Sequence, residues 1–425
     1  MKDAHGYQLT GCNSQALTLL ERGLTQLRCF RNDPLASVDA ALEASPELVM
    51  GHVLRAWLYL MSCEGRALPE VGAGLERARV LPHNDREARH LQAIAQLMDG
   101  QLLLAARSLE DLSIEYPHDL LALQVGHQLD FLTGDARMLR DRIARVFPAW
   151  SAEVPGYHAL LGMYAFGLEE CGDYRLAERL GRQAVALEPA DAWAQHAVAH
   201  VLEMQNRREE GIAWMRGNQA WQQDNMLAVH NWWHLALYHL ELGDTASVLE
   251  LFDTAIDGHH PQIALELVDG SALLWRLQLR GVDVQERWQS LAARWEPLAD
   301  EGHYAFNDLH ACMAFAGAGR DDLLERVRQA QAGALRRDDD NAWMTRTIGA
   351  PAIDALLAFT AGRYDRCVEL LRSIRNRAHG FGGSHAQRDL LDQTLLVAAR
   401  HGSQASLATA LERERQLLGG QRSVH

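Results

Sequence analysis

Cysteine is present but never paired in this chain: Cys12, Cys29, Cys63, Cys171, Cys312 and Cys367 lie far apart and form no CxxC motif. That spacing argues against a zinc knuckle and against a disulfide framework, and leaves most of the thiols as expected small buried hydrophobes. No uncharged apolar run approaches the roughly 20 residues needed to cross a bilayer. The opening MKDAHGYQLTGCNSQ has no apolar core behind Lys2, so a cytoplasmic protein with no membrane partner is expected. Basic residues form no block, and the formal charge is −15. A surface that tracks phosphates therefore has no source, and nucleic acid is not an expected partner. Strong β-formers are sparse, and no Pro/Gly/Ser-rich linker divides the 425 residues. An all-α chain of a single repetitive architecture follows.

What is there in abundance is helical punctuation. From Tyr157 to Pro189 an apolar helix ends in Glu170-Cys171-Gly172-Asp173-Tyr174, and a second helix carries Ala177 and Ala184 before Pro189. Gly172 supplies the turn, the alanines allow close approach, and Pro189 stops the second helix. This is the tetratricopeptide pattern. Gly100, Gly134, Gly243, Gly281, Gly319, Gly362 and Gly402 mark equivalent turns, and the spacing of successive turns suits paired helices of ordinary length. First helices are predicted to begin near residues 47, 84, 118, 154, 191, 225, 262, 301, 341 and 383. The expected fold is a right-handed superhelix, an α-solenoid of about ten degenerate tetratricopeptide-type helix pairs. Residues 1–46 would form an N-terminal helical cap, 47–420 a continuous superhelix and 421–425 a tail.

Unusual polar residues fall on the first helices. In DAWAQHAVAHVLEMQN, His196, His200 and Glu203 share one face by their spacing of four and three. The next first helix repeats the spacing with His230 and His234 and adds Trp232, Trp233 and His239. Adjacent first helices lie side by side in such a stack, which could bring the two HxxxH pairs within reach of one another. Further on come Asp269, Ser271 and Arg276, then Asn307, Asp308 and His310, then Ser384, Gln387, Arg388 and Asp389. Such groups are costly to bury unless paired. They either specify the register of the stack through a polar network or line a pocket.

Three functions compete on these residues. One is a small-molecule site in the superhelix interior, binding or converting its ligand by acid/base chemistry as part of specialised bacterial metabolism. There His196, His200, His230, His234, Asp269, Asp308 and His310 would be catalytic, and Glu203, Trp233, Arg276, Asn307, Gln387, Arg388 and Asp389 would bind substrate. Another is a non-enzymatic scaffold holding a peptide or protein partner in its concave groove. The third is metal-dependent catalysis with His196, His200, His230 and His234 as ligands of a transition metal, since imidazole and carboxylate suit zinc or iron. No cofactor is otherwise predicted. There is no HExxH, nucleophile elbow, phosphate-cradling loop or dinucleotide fingerprint, and GFGG at 380–383 reads as the opening of the last repeat.

The motifs DAWAQHAVAHVLEM, HNWWHLALYHLELGD, LVDGSALLWRLQL, FNDLHACMA and GGSHAQRDLLDQ, with LVMGH near His52, HDLLALQVGHQLDF around His127 and RIARVFPAW before Trp150, resemble those of the tetratricopeptide repeat protein 38 family and its bacterial members. The likeness runs in order along nearly the whole chain. It implies a helical-repeat fold throughout and places the same polar residues in recurring motifs. It supplies no reaction.

Overall fold

The computed structural model describes residues 1–419, which are helical with no strand among them; the tail expected at 421–425 lies outside the described residues. First helices begin at residues 49, 85, 120, 157, 192, 228, 264, 305, 340 and 385. Each start falls close to the position read from the turn glycines. The turns work through a repeated Gly-Asp step. Gly134, Gly172 and Gly243 adopt left-handed φ of 67°, 83° and 76°. The aspartate that follows caps the second helix, Asp135 accepting from the Met138 N–H, Asp173 from Leu176 and Asp244 from Ser247. A glycine tolerates the left-handed turn, and the carboxylate satisfies an N–H that the helix end leaves without a partner. First helices are capped the same way by Asn84, Asp119, Asp191, Asp339 and Ser384.

The two helices of a pair have different surfaces. Tyr174–Leu187 buries only Ala177, Leu180, Gly181 and Ala184, the stripe of an outer helix. Ala305–Ala318 is buried nearly all round, as a helix packed on several sides must be. One first helix contains a π-type stretch, Thr345–Gly349 within 340–360, and one second helix ends in another, Phe252–Ile256. Among the described residues no helix is long and apolar enough to cross a membrane.

The chain divides into two compact units, Met1–Val201 with Asn218–Asn231, and Leu202–Gly217 with the residues from Trp232 onward. In the first unit the N-terminal segment does more than cap one end. Thr10 N–H donates to Glu87 Oε1 at 2.9 Å, His118 N–H to Tyr7 Oη at 3.2 Å, and Gln124 Nε2 to the Leu27 carbonyl at 3.0 Å. Asn225 Nδ2 donates to the Cys29 carbonyl at 2.9 Å, and the Phe30 ring stacks on Trp193 at 5.6 Å. Helix Ser14–Arg28 and its flanks therefore lie along successive first helices of that unit.

In the second unit the first helices Ala264–Leu279, Ala305–Ala318, Ala350–Thr360 and His385–His401 touch in a closed circuit, because the first of them also packs on the last. Trp275 Nε1 donates across that closure to Thr394 Oγ1 at 2.9 Å, and Arg276 Nη2 donates to the Ala386 carbonyl at 2.6 Å.

Candidate functional site

The inner helices of the first unit gather imidazoles around aromatic rings. His196 and His200 sit one turn apart on Ala192–Met204, both fully buried, with ring centroids 4.4 Å apart. His230, from the next first helix, brings its Nε2 to 3.0 Å from the Nε2 of His196. One nitrogen from each of these three histidines lies within 4.8 Å of the others. Phe166 stacks against His196 and meets His200 edge-on, both at 5.2 Å. Trp193 packs on His196 at 4.8 Å, and His127 packs on Phe166 and Trp193. Burial, reinforced by Arg142, pushes the His127 imidazole down to about 3, so it stays neutral.

Two acids complete this cluster that the sequence did not single out. Glu169 and Glu170 close the helix Tyr157–Glu170 and are buried, and each offers an oxygen within 4.8 Å of His200 and of the other. His200 Nδ1 lies 3.7 Å from Glu169 Oε2. Adjacent acids just before a turn glycine read as an ordinary solvated helix end. Their signal is the stack itself, since a residue at 169 or 170 of one first helix lies beside 200 of the next.

The second unit carries its own polar interior. His234 Nδ1 is 2.9 Å from Glu203 Oε2, and its ring lies 4.9 Å from that of Trp233. The Arg276 guanidinium stands over the Trp233 ring at 5.4 Å, a cation–π contact, and one of its N–H groups donates to the Ala272 carbonyl. His310 packs on Phe306 at 4.5 Å, with its Nδ1 2.8 Å from the Phe306 carbonyl oxygen. Burial and the Arg276 charge hold this imidazole at about 4. Asp269 is buried on the same helix as Arg276, two turns earlier.

Asp308 is not on His310's side of their helix, because residues two apart in a helix point in nearly opposite directions. Asp308 and Asn307 line a cavity with Glu301, His303 and Tyr304. There burial, with Glu301 adding to it, pushes the Asp308 carboxyl up to about 7. The last set has local tasks. Gln387 and Ser384 form a capping box, with Ser384 N–H donating to Gln387 Oε1 at 3.0 Å and Gln387 N–H to Ser384 Oγ at 3.2 Å. Arg388 donates to the Gly383 carbonyl, and Asp389 receives a two-pronged pair from Arg415 at 2.7 and 3.1 Å. The cysteines Cys29, Cys63, Cys312 and Cys367 are buried. Burial pushes Cys29, Cys63 and Cys367 up to about 12, far from a reactive thiolate.

No family model matches the chain. Among solved structures the tetratricopeptide domain of P58(IPK) aligns with 95% of this chain and 99% of its own, at 14% identity and a TM-score of 0.20. A superposition at that score carries no weight, and the repeat assignment rests on the paired helices and their Gly-Asp turns.

Proposed function

We propose that this chain is a helical-repeat enzyme that acts on a small molecule and holds a divalent transition metal through His196, His200 and His230. The observation that carries the reading is the convergence of three buried imidazoles from two helices. Two nitrogens bound to one tetrahedral metal at about 2.0–2.1 Å stand roughly 3.3–3.4 Å apart. The 3.0 Å between His196 Nε2 and His230 Nε2 is close to that spacing.

Glu169 suits the supporting role that carboxylates take behind metal-bound histidines. Facing Nδ1 of His200, it favours the tautomer whose Nε2 is the ligand nitrogen. Three imidazoles leave a fourth position for water or substrate, where a bound metal supplies Lewis-acid activation. The ring faces of Phe166 and Trp193 exclude bulk water, which strengthens electrostatic effects on whatever enters. The likeness to the tetratricopeptide repeat protein 38 family agrees with this placement of the polar residues, and a cytoplasmic setting agrees with its unpaired cysteines.

Elemental analysis of the protein purified without a histidine tag tests the reading. About one equivalent of a transition metal per chain is expected, falling below about a tenth in His200→Ala with the helical circular dichroism retained. Metal-free wild-type protein that resists reloading would sink it.

A second reading keeps acid/base chemistry without a metal and places it at Asp308. Its support is the cavity shared with His303 and Tyr304, where a carboxyl titrating at about 7 could move a proton near neutral pH.

A further inference from the structure

The two acids beside His200 can do more than support it. Glu169 and Glu170 are 1% and 6% exposed. One oxygen from each and one nitrogen of His200 all lie within 4.8 Å of one another. Consecutive residues in a helix diverge by about 100°, so both side chains bend towards the same imidazole. Nδ1 of that ring stands 3.7 Å from Glu169 Oε2. Two ligand atoms held at about 2.0–2.2 Å from one ion can be no more than about 4.4 Å apart, and this pair falls inside that limit.

Charge favours a cation at the same place. Glu169 and Glu170 are the last residues of helix Tyr157–Glu170, and the partial negative charge of a helix C-terminus attracts positive charge. Two carboxylates side by side out of water also repel each other, and a divalent ion between them replaces that repulsion by attraction.

We propose that Glu169, Glu170 and Nδ1 of His200 form a second divalent-metal site, with the His200 ring bridging two ions. It rests on the three-histidine site above, because Nε2 of His200 must face the first ion for Nδ1 to be left to the second. With the first ion alone, Nδ1 carries a hydrogen directed at Glu169. Arrival of the second ion breaks that N–H bond, forms an Nδ1–metal bond and releases the proton to water, so that the ring becomes an imidazolate. One imidazole nitrogen with two carboxylates is a donor set that zinc accepts. Because the second ion must displace a proton from a ring nitrogen, it binds more weakly than the first, and the protein as purified carries mainly the first. An ion on Nδ1 takes over the place of the carboxylate behind a metal-bound histidine, so the second ion tunes the first.

Zinc titration of the metal-stripped full chain against a chromophoric chelator, with anomalous scattering at the zinc edge from crystals loaded with one and two equivalents, tests the assignment. Two equivalents per chain are expected, the second weaker, with its peak between Glu169, Glu170 and Nδ1 of His200. Glu170→Gln should keep the first equivalent and lose the second. Should that variant fail to fold, the position of the second peak in the wild type decides alone. A single equivalent in the wild type, a second zinc located elsewhere, or a second equivalent undiminished in folded Glu170→Gln overturns the bridged site and leaves the three-histidine site standing. No zinc uptake at all overturns both.

Discussion

At the scale of single residues, the side chains that matter are held by partners of opposite character. Glu169 faces His200 from 3.7 Å, and Glu169→Gln keeps its shape while removing the charge. Loss of such a supporting carboxylate typically weakens metal affinity 10- to 100-fold, so chelator competition should show a weakening of about that size with no change in melting temperature. Asp308 presents the opposite case, a carboxyl whose pKa burial raises from 3.8 to about 7. Its folded form holds a proton that the unfolded form gives up between about pH 4 and 7, so this group favours the folded state increasingly as pH falls through that window. Asp308→Asn should therefore be more stable than the wild type at pH 8, by of order a few kcal/mol, and the gap should close towards pH 4. Melting temperatures of the two proteins across that range check the sign.

At the scale of helices, the packing is set by small residues at crossings. A Cβ on Gly167 would lie 2.5 Å from the Leu139 carbonyl oxygen and from the backbone nitrogen of Arg140. Backbone cannot swing aside as a side chain can, so Gly167→Ala must push Tyr157–Glu170 away from Ala136–Val146. Overpacking of this kind costs typically 1–3 kcal/mol. Because Glu169 and Glu170 follow two and three residues later on the same helix, the variant should lose metal affinity along with stability, measured together by chelator competition and chemical denaturation. Turn glycines, capping acids and the 3.6-residue pattern are local, and this is why helix starts were legible in the sequence. The i, i+4 histidines were legible for the same reason. Glu169 and Glu170 were not, because their company with His200 depends on how neighbouring pairs stack. Nor was the separation of Asp308 from His310 used, although helical geometry alone puts them on opposite sides.

At the scale of the whole molecule, contacts between residues far apart in sequence add what local patterns do not carry. Leu27 and Phe30 meet residues from about 120 onward, and the helix Ala264–Leu279 meets His385–His401. Pattern reading along the chain carries no information about such returns. An ordinary end helix frays, and its amides exchange early. Helix Ser14–Arg28 should instead be protected nearly as well as Tyr157–Glu170, which hydrogen exchange read by mass spectrometry will show. Exchange there within seconds would mean that the segment is detached in solution.

The same N-terminal segment sets an order of events during synthesis. Its partners at Asn225 and Met226 are made almost two hundred residues after Cys29 and Phe30. At about 5–20 residues per second, the ribosome takes roughly ten to forty seconds to deliver them. Helix Ser14–Arg28 can pack on Pro34–Ala44 well before then, but Cys29 and Phe30 wait for these partners, so the end of that segment is secured later than its neighbours.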